Sequence, residues 1–425
     1  MTVQDVGVLA IGAGPANLAL AVAIEESGAR ELANDTLVLE QHADVKWQRG
    51  TLMPWARSQV SFLKDLVTLR NPRSRFSFLS FLYEQGRLDE FVNLGTFHPY
   101  RWEMSDYLQW VASSLERVRV RYDARAQRIE PHHQDGVLTG WTVTLANGDV
   151  IRCRDLVVGG GRDPHVPEVF AGLPDEKVVH SSRYLTRIGD VPKDRPLHAV
   201  VVGGAQSAAE LFYALHSDLP DSQVTMVVRS IGLQNYQTSK FVNEAFFPSY
   251  VDEFYDTPPE VRAQILDEMR FANYAGLAPP FLDELYTMLY QQKMLGPKRS
   301  SIRSMTEVAG ARQDGDELVL DLRDRRTGKV DPVRCDLVVL GTGYDQRMPA
   351  MARDLATRLG LDDLAVSRCY RADVGDAAWG ALYLQGVNEK THGMSDSLIS
   401  VLAQRSQDIV NDLLARRGAA ELRSA

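Results

Sequence analysis

The stretch Val8-Leu9-Ala10-Ile11-Gly12-Ala13-Gly14-Pro15-Ala16-Asn17-Leu18, continued by Ala19-Leu20-Ala21, decides the fold. An apolar run ends in two closely spaced glycines and passes at once into small helix-forming residues. This predicts a strand, a tight turn and a helix whose N-terminus is aimed at an anion. The glycines let the backbone approach a pyrophosphate, and the unpaired N–H groups with the helix dipole favour its charge. Gly12, Gly14, Pro15 and Asn17 are the candidate contacts, Asn17 standing where such a fingerprint has its third glycine. The next apolar strand, Thr36-Leu37-Val38-Leu39-Glu40, ends in an acid where a ribose-binding carboxylate belongs. A glycine turn with no ligand is the plainer alternative.

A second unit of the same form opens at Ala199-Val200-Val201-Val202-Gly203-Gly204-Ala205-Gln206-Ser207-Ala208-Ala209-Glu210. Its partner strand, Val224-Thr225-Met226-Val227-Val228, ends in Arg229-Ser230 where the first unit has an acid. A ribose hydroxyl wants a carboxylate, whereas a 2′-phosphate wants a guanidinium. The second unit therefore reads as NADP(H)-binding through Gly203, Gly204, Gln206, Ser207 and Arg229; a solvated surface arginine is the alternative.

Strands alternate with helices along the chain, the signature of a parallel α/β sheet. A hairpin turning at Asn147-Gly148 leads to Asp155-Leu156-Val157-Val158-Gly159, and a hairpin-like stretch from Glu317 to Arg334 leads to Asp336-Leu337-Val338-Val339-Leu340-Gly341. Each unit thus closes with a meander and a return strand ending in glycine. Tyr107-Leu108-Gln109-Trp110-Val111 is read as the start of an amphipathic helix. The expected fold is α/β, with two dinucleotide-binding (Rossmann-like) domains, the NADPH domain inserted in the FAD domain, and a small, mainly helical substrate segment. Residues 1–195 and 336–425 are assigned to FAD and 196–335 to NADPH, with 234–300 contributing to the substrate site.

The 425 residues suffice for two or three domains, and an apolar content of 44% with 24% charged is that of a globular chain. A net charge of -9 without a dense basic patch argues against nucleic acid. Cys153, Cys335 and Cys369 lie far apart and form no CxxC, which removes a disulfide framework, a zinc cluster and a dithiol redox centre. No metal site is expected. No signal peptide or membrane-spanning run is visible, and the expected location is cytoplasmic.

The sequence resembles the flavin-dependent N-hydroxylating monooxygenases of siderophore biosynthesis, in particular the L-ornithine N5-monooxygenase type, over nearly the whole chain. The motifs carrying the resemblance are Gly12 to Leu18, Ser61-Phe62-Leu63-Lys64-Asp65-Leu66-Val67-Thr68, Gly204 to Glu210, Phe241-Val242-Asn243-Glu244, Gly341-Thr342-Gly343-Tyr344 and Thr391-His392-Gly393-Met394-Ser395-Asp396-Ser397-Leu398. The ornithine branch is favoured by Leu69-Arg70-Asn71-Pro72-Arg73-Ser74. The resemblance implies N-hydroxylation of the side-chain amine of L-ornithine by a C4a-hydroperoxyflavin formed from FAD, NADPH and O2. The alternatives are a lysine or diamine N-hydroxylase, or a flavin monooxygenase acting on carbon or sulfur. The amine attacks only when neutral, yet a free ammonium of this type has a pKa of about 10.4, so the site must remove its proton and exclude water.

By the same resemblance Lys64 pairs with the substrate carboxylate. A lone lysine beside Phe62-Leu63 needs a partner, and Asp65 or solvent would be the alternatives. Asn243 and Asn273 would hold the zwitterion, unless they are turn or cap residues. Ser400, with Ser395 as second choice, would complete the pocket. Trp47, Gln59 and Leu398 would lie at FAD, although a core position is the plain alternative for Trp47. His392 is read as structural or flavin-adjacent. Gln48-Arg49-Gly50 departs from the family's histidine after the tryptophan, and Pro54-Trp55-Ala56-Arg57-Ser58 from its glycine- and methionine-containing loop. A homo-oligomer, dimer or tetramer, is implied by analogy.

Overall fold

The computed structural model describes residues 2–237, 239–274, 276–375 and 378–424; the side chains of Phe271, Asn273 and residues 419–424 lie outside the described set. The strand Val3–Ile11 is central to the first sheet. It runs parallel to Thr36–Leu39 on one side and to Val150–Val158 on the other. Thr36–Leu39, buried throughout, has the continuous apolar character of a strand covered on both faces. Arg119–Arg121 extends one edge in parallel, and Val137–Leu145 and Ala126–Gln134 extend the other as an antiparallel meander.

The expected hairpin and return strand prove to be one strand, Val150–Val158. Its first half pairs antiparallel with Trp141–Thr144, and its second half lies parallel to Ala381–Leu384. The turn before it needs Gly148, whose φ of +86° is left-handed, while the Leu145 N–H donates to the Asp149 carbonyl at 2.8 Å. The helix Pro15–Glu26 is buried from Asn17 to Ile24 because it lies between this sheet and the C-terminal helix Leu402–Ser424.

The second sheet is wholly parallel, in the order Ser300–Arg303, Gln223–Val227, His198–Val202, Leu337–Leu340, Val178–His180. Its hydrogen bonding reaches beyond 196–335 on both sides: Val178–His180 and Leu337–Leu340 both belong to it. The sequence boundaries at 195 and 336 therefore cut through the second sheet. A boundary inferred from the glycine turn cannot see an edge strand contributed from the other side of it. The meander Thr306–Asp314, Glu317–Asp324 and Val330–Cys335 forms a separate antiparallel sheet.

In the first unit's core, Arg101–Ser114 is a helix that begins six residues before the expected Tyr107. Glu103 caps it by accepting the Tyr100 N–H at 3.0 Å. The sequence pattern hides this start because Arg101 and Glu103 are charged yet buried. Residues 240–295 are chiefly helical, in the pieces Lys240–Asn243, Tyr250–Asp256, Pro259–Glu268, Arg270–Asn273 and Pro279–Leu295.

Candidate active site

The first glycine turn is shaped for a phosphate. Gly12 has φ +92°, and a Cβ there would stand 3.1 Å from the Gly159 carbonyl oxygen. Gly14 has open space where its Cβ would be, and no side chain caps the twelve-residue helix it opens. The first-turn N–H groups are thus left for a ligand. Glu40 sits at the lip of this turn, its carboxylate accepting the Ala13 N–H at 3.1 Å and the His42 N–H at 3.0 Å. These features fit the pyrophosphate and ribose of FAD.

Asn17 departs from its expected part as a direct contact. It is fully buried, donates from Nδ2 to the Ile11 and Gly12 carbonyls at 2.8 Å each, and accepts from Gln385 at 2.7 Å. Its side chain points beneath the turn, where it ties strand, helix and C-terminal segment together. A missing glycine is here replaced by a brace.

The second turn repeats the cradle. Gly203 has φ +146°, and a Cβ there would come within 2.4 Å of the Gly341 oxygen. The helix Gln206–Asp218 begins at Ala205 without a side-chain cap. Arg229 is exposed just past the neighbouring strand, with no carboxylate partner among the described residues. These residues fit a 2′-phosphorylated dinucleotide. Ser207 is half-buried in the first turn. Gln206 differs from expectation: its amide accepts the Ala278 N–H at 3.0 Å and donates to Glu210 at 2.7 Å. That side chain is committed to the protein, which leaves its backbone N–H as its contribution to a phosphate.

Two of the residues expected at the substrate, Lys64 and Ser400, come together across 336 positions of the chain. Lys64 Nζ donates to Ser400 Oγ at 3.4 Å, and Ser400 is buried. Among the described residues no carboxylate pairs with Lys64. Desolvation by burial holds its pKa below the ordinary lysine value. Asp65 turns away: it accepts the N–H groups of Val67, Thr68 and Phe78 and the Thr68 hydroxyl, which shapes the loop and removes it as a partner for Lys64. Ser395 is also buried, but it is Ser400 that meets Lys64.

Asn243 is half-buried, its side chain free of hydrogen bonds among the described residues, at the end of Lys240–Asn243. The turn after it, Glu244–Phe246, touches Met394–Ser397, close before Ser400. The side chain of Asn273 lies outside the described residues. Its neighbour Tyr274 hydrogen-bonds Glu389 and Ser397, and Arg162 reaches the same Glu389 at 3.3 Å. Both asparagine-bearing segments are thereby docked on the loop that carries Ser400. Leu398 is half-buried on that loop. Gln59 is exposed and has no partner among the described residues, and Trp47 packs against the rim of the first core with its backbone N–H and carbonyl on Ser105.

Two buried polar clusters escaped sequence reasoning because neither has a periodic spacing. Arg405, 1% exposed, donates to the Asp396 carboxylate at 2.8 Å and to Gln385, which bonds Asn17. Arg101 pairs with Glu210 at 2.7 Å and donates to the Thr51 carbonyl, so the helix after the second glycine turn is fixed to the loop following Trp47. In that loop Gln48 adopts φ +55°, Arg49 pairs with Asp44, and Trp55 stacks on Phe281 at 5.6 Å. The two departures from the family pattern are thus ties within the scaffold. His392 is buried between Tyr370 and Tyr255, with its pKa lowered to about 4, chiefly by desolvation. It is neutral at ordinary pH and structural.

The sequence profile of the family described as L-lysine 6-monooxygenase/L-ornithine 5-monooxygenase matches residues 4–346. An L-ornithine N(5)-monooxygenase of Pseudomonas aeruginosa is 37% identical over 413 residues, 95% of this chain and 93% of that protein. The crystal structure of ornithine hydroxylase from the same organism superposes with a TM-score of 0.90 at 36% identity, covering 97% of this chain and 99% of that one. The ornithine N-hydroxylase of Kutzneria sp. 744, solved with reduced FAD, NADP+ and L-ornithine, gives a TM-score of 0.89 at 34% identity, covering 97% and 100%.

Proposed function

For a chain that belongs to the L-lysine 6-monooxygenase/L-ornithine 5-monooxygenase family, we propose an active site in which Lys64 and Ser400 receive the carboxylate end of the substrate. The reaction is N-hydroxylation of the side-chain amine of L-ornithine, giving N5-hydroxy-L-ornithine, with NADPH and O2 consumed and FAD as the cofactor, as in siderophore biosynthesis. FAD, reduced by NADPH, supplies the activated oxygen. Gly12, Gly14, Pro15 and Glu40 cradle FAD from the first sheet, with Trp47, Gln59 and Leu398 toward its ring. The backbone of Gly203, Gly204 and Gln206, with Ser207 and Arg229, cradles NADPH.

The observation that carries this arrangement is the Lys64–Ser400 contact, a desolvated cation with no acid partner among the described residues. Such a cation is stabilised by an incoming carboxylate. Asn243 and Asn273 offer neutral donors and acceptors to the α-ammonium and carboxylate, which fixes the length of substrate that reaches the flavin. The segments bearing them cover the site, exclude water and disfavour the charged form of the substrate amine.

Three further readings belong to this proposal. The protein resides in the cytoplasm, supported by three free cysteines and by no described helix long and apolar enough to cross a membrane. It binds no nucleic acid, supported by its net charge of -9. It assembles as a homo-oligomer, supported by exposed apolar side chains. The deciding experiment is hydroxylamine formation by FAD-loaded protein with NADPH and O2 on L-ornithine, L-lysine, putrescine and cadaverine in parallel. Product chiefly from L-ornithine is expected; product chiefly from a diamine would overturn the role of Lys64.

A further inference from the structure

The helix Pro279–Leu295 has two apolar faces and only one of them is used. Phe281, Leu282, Leu285, Met288 and Leu289 pack against the second sheet's core. The opposite face carries Tyr286, Tyr290 and Met294, exposed by 73%, 53% and 58%. Three large apolar side chains at helical spacing and in solvent form a continuous stripe rather than scattered singles. Asp283 lies at its N-terminal end and Lys293 at its C-terminal end, both exposed and without a partner among the described residues.

We propose that this face is the contact through which two copies of the chain pair, the two helices crossing antiparallel about a two-fold axis that passes midway between Tyr286 and Tyr290. The inference rests on the homo-oligomer reading above and names its surface. The charges select both the occupant and the orientation. Asp283 and Lys293 are ten residues apart, about 15 Å along a helix. A two-fold between them sets Asp283 against the partner's Lys293 and Tyr286 against the partner's Tyr290. A parallel pairing would instead oppose acid to acid and lysine to lysine. The segment carrying Asp283, Tyr286, Tyr290 and Lys293 is thus complementary to itself reversed, as an isologous interface requires, with Met294 lying beyond the charged pair. Antiparallel helices also oppose their dipoles favourably.

Sedimentation velocity of the FAD-loaded full chain over a range of protein concentrations tests this. Asp283→Lys or Lys293→Asp should each weaken self-association by roughly tenfold, as like charges meet across the two-fold. The double variant Asp283→Lys/Lys293→Asp should restore it, because each copy again offers an acid to a base. Tyr290→Glu should abolish this association step while flavin absorbance stays that of the parent. Oligomers unchanged in all variants would overturn the surface and leave the homo-oligomer reading standing. A parent chain that stays monomeric throughout would overturn both. Weakening in the single variants without recovery in the double would overturn the antiparallel register.

Discussion

Replacing Lys64 by alanine isolates what its charge does. The ammonium is half-buried, 3.4 Å from Ser400 Oγ, and no described carboxylate pairs with it. Truncating one partner of a fully buried charge pair costs 2–5 kcal/mol or more, whereas exposed pairs are worth under about 1. For a half-buried site about 2 kcal/mol is appropriate, or roughly 30-fold in affinity. The carboxylate is remote from the reacting amine, so the loss should fall on KM for L-ornithine, with kcat changed by less than about threefold. Putrescine has no carboxylate, and its KM should not rise. Hydroxylamine release measured against concentration for both amines, in parent and variant, reads this directly. The same desolvation gives two further signs. Lys64 loses its proton at a lower pH than an ordinary lysine, so KM for L-ornithine should begin to rise earlier as the pH increases. Lys64→Met, which removes a desolvated cation that no described carboxylate pairs with, should raise the Tm of the substrate-free protein. A KM increase of equal size for putrescine, or a loss confined to kcat, would refute the carboxylate assignment.

Asn17→Gly restores the usual glycine of the fingerprint, yet should destabilise the protein by about 2–4 kcal/mol through loss of three buried hydrogen bonds; thermal unfolding and retention of FAD on gel filtration check this. Arg229→Ala should raise KM for NADPH by about 10- to 100-fold and leave KM for NADH nearly unchanged, since only NADPH carries the 2′-phosphate; steady-state oxidation of both cofactors decides it. His392 binds its proton only near pH 4 when folded but near 6.5 when unfolded, so the unfolded state gains the proton first on acidification. Stability should be intact above about pH 6.5 and fall by on the order of 3 kcal/mol toward pH 4, a decline that His392→Phe should remove in urea titrations.

What the sequence determined by itself was local. Two apolar runs breaking at Gly12-Ala13-Gly14 and Gly203-Gly204 require a strand, a turn with special backbone and a helix, and the structure has both. Glu40 and Arg229 follow from strand ends, because the end of the neighbouring strand lies beside the turn in any such unit. Lys64 and Ser400 were legible through motifs, although nothing in the chain between them measures their 3.4 Å separation. Tertiary structure alone decided the rest. Only burial shows that Asn17 braces the turn from below, that Gln206 spends its amide on Ala278 and Glu210, and that Asp65 serves its own loop. Only packing explains why Arg101 and Glu210, or Arg405 and Asp396, are tolerated inside: each charge finds its partner in another element, which no periodicity encodes. The strand at 178–180 on its edge and the strand at 337–340 inside it join the second sheet for the same reason. A strand is specified by its neighbours, and neighbours are set by the fold rather than by adjacency in the chain.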